Sequence, residues 1–274
     1  MPGQSIVDLH VHLFPQRLAE AIWKYFETRS WPVHHEHLDQ VVATLASHGV
    51  EIACALAYPH RRGVARQLNQ FMESVAQRYP MFRPFGSVHV EDPDLDADVE
   101  HVIGSPVLHG FKFQPLVQCF DINDPRLDHL YARCSESGTP LIMHVGNAPY
   151  ANPFVGFSHF SRLMGRFPDL RVCVSHMGAF EYDEFLRLLD DYPGVYLDTT
   201  MINVKTHLFD TVWRGDPERL LRHRDRVCFG SDWPHVPYPY ASALASVARF
   251  PLPEDARGLV LRDNARRFLG LDAQ

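Results

Sequence analysis

Short apolar or β-branched runs alternate with stretches of helical periodicity along the whole chain, and this alternation constrains the fold more than any other feature of the sequence. The strand-like runs are Ser5–His10, Ile52–Ala57, Arg83–His89, Gly110–Gln114, Leu141–Val145, Val172–Ser175, Val195–Asp198 and Val227–Phe229. Helical spacing occupies His37–His48, Val64–Tyr79, Leu127–Ser137, His159–Arg166, Tyr182–Asp191, Phe209–Arg222 and Tyr240–Arg249. Asp94–Ile103 reads as a short acidic helix and Pro253–Leu269 as a closing amphipathic one. Gly49, Tyr79-Pro80, Gly138-Thr139-Pro140, Phe167-Pro168 and Tyr192-Pro193-Gly194 each stop a helix just before the next strand. Such alternation implies a parallel sheet with helical crossovers. The runs 141–145 and 172–176 are apolar at almost every position, as strands covered on both faces are. With 274 residues and no Gly-rich linker or repeat, the chain is expected to form one domain over 1–274, a TIM (β/α)8 barrel. An open doubly wound sheet is the alternative that alternation alone leaves.

Composition narrows the function by exclusion. The formal net charge is −7 and no segment concentrates Lys and Arg, so no nucleic-acid partner is expected. No apolar stretch approaches the roughly 20 residues of a membrane helix, and the N-terminal residues lack the charged-then-apolar pattern of a signal peptide. Cys54, Cys119, Cys134, Cys173 and Cys228 show neither C-x-x-C pairing nor a disulfide-like framework, and Cys119 and Cys134 are expected to be structural. The expected setting is cytoplasmic and the expected partner a small molecule.

The strongest chemical signal is Asp8-Leu9-His10-Val11-His12 at the end of the first strand. Residues two apart in a strand share a side, so His10 and His12 can aim two imidazoles at one point, as a single strand does when it chelates a metal. Alone, the pair is better explained as two satisfied surface histidines. Other groups close later strands: Lys112 the fourth, His144 the fifth, His176 the sixth, with Asp232 just past the eighth. In a parallel barrel all such ends open on one face, where active sites form. Imidazole nitrogens and a carboxylate are the donors preferred by zinc and similar divalent ions.

As an ordered set, His10-Val11-His12, Gly110-Phe111-Lys112, His144, Ser175-His176-Met177-Gly178 and Gly230-Ser231-Asp232-Trp233-Pro234 resemble the amidohydrolase superfamily, in its amidohydrolase-related branch of hydrolases and non-oxidative decarboxylases. The resemblance implies that His10, His12, His144 and Asp232 ligate a divalent metal, zinc with manganese as the alternative. It implies that Asp232 and His176 act in catalysis, Asp232 taking a proton from water and His176 facing the water or substrate. Lys112 and His176 are the residues that would serve a second metal or the substrate, and one ion is expected rather than two. The implied reaction is hydrolysis of a lactone, cyclic amide or related ester, with non-oxidative decarboxylation of an aromatic or unsaturated acid as the alternative. A non-catalytic small-molecule-binding barrel is a third reading.

Further candidates come from the residues themselves. Arg61 and Arg62 follow the second strand, where they read equally as a carboxylate clamp or a solvated loop pair. His235 lies beside Asp232 and is expected to contact substrate, with Tyr150 and Trp233. Phe14, Trp23, Tyr25, Phe26 and Trp31, with Tyr150, Phe154 and Trp233, are enough aromatics to wall an apolar pocket. For Trp23 and Phe26, packing a helix onto the sheet is the preferred account, and a protomer contact in a homo-oligomer stays open. His34, His35 and His37 are expected at the surface rather than on metal.

Overall fold

The computed structural model describes residues 5–271. Eight strands follow one another: β1 (Ile6–His12), β2 (Val50–Leu56), β3 (Phe82–Phe85), β4 (Phe111–Phe113), β5 (Leu141–Met143), β6 (Val172–Val174), β7 (Val195–Asp198) and β8 (Val227–Cys228). Helices fill the intervals, and the chain divides into two compact units, Met1–Leu56 with Asp198–Gln274, and Ala57–Leu197.

In the first unit β1 and β2 pair in parallel. The other side of β1 carries the chain that leaves β8: Leu9 N–H donates to Phe229 O at 3.0 Å, and Val11 bridges Trp233 in parallel. Every residue of β1 is buried, although Asp8, His10 and His12 are polar. The pairing slips by one residue between Asp8 and Val11, so β1 carries a bulge beside His10. Bulges re-aim side chains; strict alternation therefore does not by itself fix where His10 points.

In the second unit β4, β5, β6 and β7 pair in parallel in that order, and Gly86, just beyond β3, bridges Phe111. The strands β4, β5 and β6 are buried throughout. Apart from Lys112 in β4, their composition is apolar, as burial on both faces demands. The helix Tyr182–Asp191 packs Phe185, Leu186, Leu188 and Leu189 inward, at the spacing of one helical face.

Two sequence expectations need correcting. Phe209–Arg222 is not one helix; only Pro217–Arg222 is helical, and Lys205 pairs antiparallel with Asp210 before it. Local punctuation outweighs periodicity there: Asp216 caps the helix by accepting from Glu218 N and Arg219 N, and Pro217 opens it. The final helix is broken into Glu254–Gly258, a π-turn at Leu259–Asp263, and Asn264–Phe268. At that turn the buried Asn264 amide donates to Arg224 O and Val227 O, contacts made from inside a helix that widens locally. The aromatic segment after β1 holds a full helix, Gln16–Arg29, which buries Trp23 as expected of a packing residue. No helix among the described residues is long and apolar enough to cross a membrane.

Candidate metal centre

In the first unit, β1 and the segment after β8 bring three of the expected ligands together. The His10 and His12 Nε2 atoms lie 3.2 Å apart, and Asp232 Oδ1 is 2.9 Å from His12 Nε2 and 3.4 Å from His10 Nε2. Donors on one tetrahedral zinc, each at 2.0–2.1 Å, stand about 3.3 Å apart, so this spacing suits a shared cation. The ring orientations support the same reading. His10 Nδ1 is 2.9 Å from Asp198 Oδ2, and His12 Nδ1 is 3.3 Å from Leu56 O. Both acceptors call for a proton on Nδ1, which leaves a lone pair on each Nε2. Two lone pairs 3.2 Å apart beside a carboxylate require a cation or an added proton between them. His10, His12 and Asp232 are the metal-capable group found among the described residues.

The backbone is shaped around this point. Asp232 sits in the left-handed region at φ 62° while its N–H donates to His10 O at 2.8 Å. Such a conformation costs of order 1–3 kcal/mol in a non-glycine residue and persists only where its surroundings hold it. Gly230 permits the close approach: a Cβ there would lie 2.3 Å from Thr200 Oγ1 and 2.9 Å from His10 Cβ. Asp8 accepts from His10 N, Ser231 N and the Tyr240 hydroxyl, tying β1 to the loop that carries Asp232. Burial pushes the Asp8 carboxyl up to about 7, against those hydrogen bonds.

His235 is buried with its ring stacked on His12 at 5.3 Å, and Phe14 and Phe26 pack against the same ring. Burial, with His12 beside it, pulls His235 down to about 3, so the imidazole is neutral. Its Nδ1 and the buried Tyr238 hydroxyl have no hydrogen-bond partner among the described residues. Trp233 is buried, its Nε1 donating to Glu36 Oε2 at 2.9 Å. Of the early histidines, His35 pairs with Glu27 and His34 lies 3.0 Å from Tyr238 O, which leaves neither in a metal cluster.

The second unit brings together another set. His144 and His176 are buried with ring centroids 4.6 Å apart. His144 Nε2 faces Ala148 O at 2.9 Å, an arrangement that puts the proton on Nε2 and turns Nδ1 into the donor atom. His176, Met177 and Gly178 take positive φ in succession, and a Cβ on Gly178 would strike the Phe185 ring. Lys112 is fully buried, with Nζ 3.3 Å from Ser175 Oγ. Arg61, Arg62 and Tyr150 are exposed.

Asp198 is the residue that sequence reasoning missed. Its available signal was an acid closing the apolar run Val195–Leu197, a position equivalent to those that flagged His144 and His176.

A family model described as amidohydrolase matches residues 7–271. No curated protein matches the chain in sequence. Among solved structures, an uncharacterised TIM-barrel protein from Bordetella bronchiseptica is 21% identical, with a TM-score of 0.74 over 98% of this chain and 100% of that one. 5-Carboxyvanillate decarboxylase from Sphingomonas paucimobilis is 17% identical, with a TM-score of 0.68 over 98% of this chain and 99% of that one. A probable 2-pyrone-4,6-dicarboxylic acid hydrolase from Acinetobacter baumannii is 15% identical, with a TM-score of 0.63 over 97% of this chain and 99% of that one. These likenesses show the fold, an α/β TIM (β/α)8 barrel.

Proposed function

The chain belongs to the amidohydrolase family and is an enzyme, and on that premise we propose that it is a metal-dependent hydrolase of a lactone, cyclic amide or related ester. The observation that carries the reading is the convergence of His10 Nε2, His12 Nε2 and Asp232 Oδ1 within 3.4 Å of one another. His10, His12 and Asp232 would hold the ion, with His144 as the further imidazole ligand. One zinc is proposed, manganese being the alternative. Bound there, the ion supplies Lewis acidity and lowers the pKa of water from 15.7 to roughly 7.

The chain's own groups do the rest. Asp232 takes a proton from water at its carboxylate and passes it to the leaving oxygen or nitrogen. His176 donates a hydrogen bond to the scissile carbonyl oxygen as negative charge develops there. The neutral His235 Nδ1 and the Tyr238 hydroxyl offer polar atoms to an uncharged part of the substrate, inside an aromatic wall of Phe14 and Phe26. Arg61 and Arg62 are proposed to meet a substrate carboxylate, and Tyr150 to pack on it. Both units are proposed to act as one domain, a reading supported by the unbroken match over residues 7–271. A cytoplasmic setting is proposed, and the five free cysteines are compatible with it. Self-association is proposed through exposed aromatics such as Tyr25 and Tyr150.

A second reading, non-oxidative decarboxylation, is favoured by the likeness to 5-carboxyvanillate decarboxylase. There Asp232 would deliver its proton to carbon instead of to a leaving group. Assaying the zinc-loaded protein against lactones and aromatic acids, with acid release and carbon dioxide measured side by side, divides the two. Ring-opened acid without carbon dioxide is expected; carbon dioxide together with the decarboxylated compound, and no ring-opened acid, overturns the hydrolase reading.

A further inference from the structure

We infer that Asp198 is a positioning residue for the ion site, locking His10 in the tautomer that presents Nε2 and so setting how tightly a divalent cation is held. The inference rests on the metal reading above. His10 and Asp198 are both essentially without solvent exposure, and their contact is 2.9 Å between Nδ1 and Oδ2. A carboxylate only accepts, so the proton of the pair belongs on Nδ1 and the lone pair on Nε2, the atom that faces His12 and Asp232. An anionic acceptor also makes the far nitrogen a stronger base, the usual effect of a carboxylate behind a ligating imidazole.

The carboxylate is itself fixed. Thr200 N–H donates to Asp198 Oδ1 at 3.1 Å, which leaves Oδ2 aimed at the ring. A Cβ on Gly230 would come within 3.4 Å of Asp198 Cγ and 2.9 Å of His10 Cβ, so the loop carrying Asp232 closes over this pair. His12 provides the internal contrast, because its Nδ1 meets a neutral carbonyl, Leu56 O, at the longer distance of 3.3 Å. Charged acceptors make bonds roughly twice as strong as neutral ones. At His10 a charged side chain therefore governs the orientation and basicity of the imidazole from its Nδ1 side.

The experiment is chelator competition for zinc with the wild type, Asp198→Ala, Asp198→Asn and His10→Ala, together with imidazole nitrogen NMR of the metal-free proteins. Asp198→Ala is expected to weaken zinc binding by about 10- to 100-fold. Asp198→Asn keeps an oxygen towards Nδ1 and loses the charge, so a loss of about 3- to 10-fold is expected. The His10 signals should report the Nδ1–H tautomer in the wild type and in Asp198→Asn, and a shift towards Nε2–H in Asp198→Ala. Unchanged zinc affinity and tautomer in Asp198→Ala, while His10→Ala loses zinc, overturns the inference and leaves the metal reading standing. Should Asp198→Ala fail to fold, Asp198→Asn with wild-type affinity overturns it equally. A wild type that takes up no zinc overturns the metal reading itself, and the inference with it.

Discussion

The two histidine pairs of this protein are buried alike and wired differently. In the first unit His10 and His12 are accompanied by three carboxylates: Asp198 behind His10, Asp232 in front of both rings, and Asp8 under the backbone. In the second unit His144 Nε2 faces the Ala148 carbonyl, the His144 and His176 rings meet edge to face, and the buried Lys112 Nζ lies 3.3 Å from Ser175 Oγ. Carboxylates fix imidazole lone pairs and offset a cation's charge. Neutral acceptors and a lysine favour contact with developing negative charge instead. The contrast supports the proposal that the first pair holds the ion, with His144 as a further ligand and His176 meeting the substrate.

Removing the carboxylate that faces both rings tests this contrast hardest. Asp232→Asn should keep the fold and lower turnover by about 10²- to 10⁴-fold, the usual worth of a positioned acid–base group. Steady-state kinetics with a circular-dichroism check measure it, and near-wild-type turnover would remove Asp232 from its role. Next in size is Gly230→Ala. Its methyl group would meet Thr200 Oγ1 and His10 Cβ, so a loss of about 1–3 kcal/mol in unfolding free energy is expected from overpacking, with weaker zinc binding. Denaturant unfolding at wild-type stability would mean the loop yields freely.

Lys112→Met sharpens the comparison from the other side. With one ion held by the carboxylate-rich group, metal content should stay at one per chain, and stability should change little because a buried ammonium is replaced by an apolar chain of similar shape. A fall from two ions to one by elemental analysis would instead place Lys112 in a binuclear centre. The smallest effect is expected at His109, an imidazole of the second unit with Arg83 rather than a carboxylate nearby. Burial, aided by that charge, lowers it to about 4 from the usual 6.5. The unfolded chain then binds the proton more readily, so stability is full above pH 6.5 and declines as pH falls towards 4. His109→Gln should flatten that part of a Tm-against-pH curve, whereas an unchanged slope would place its origin elsewhere.

The candidate ligands were legible because each closes or follows a strand-like run, and the structure brings His10, His12 and Asp232 of that set together. His10 and His12 are two apart on one run, and His144, His176 and Asp232 each follow an apolar one. The bulge beside His10 was not readable, since register depends on the partner strand. Nor was the role of Asp198, whose imidazole partner lies 188 positions away. The helix expected over Phe209–Arg222 failed for a legible reason: Gly215-Asp216-Pro217 is a start signal inside the periodic stretch, and local capping decided the boundary.

Metal content decides whether His10, His12 and Asp232 share an ion. Wild-type protein loaded with zinc and freed of excess should retain about one ion per chain, and His12→Ala, still folded, should retain almost none. A folded wild type that holds no ion, or a His12→Ala variant that holds as much as the wild type, would contradict such sharing.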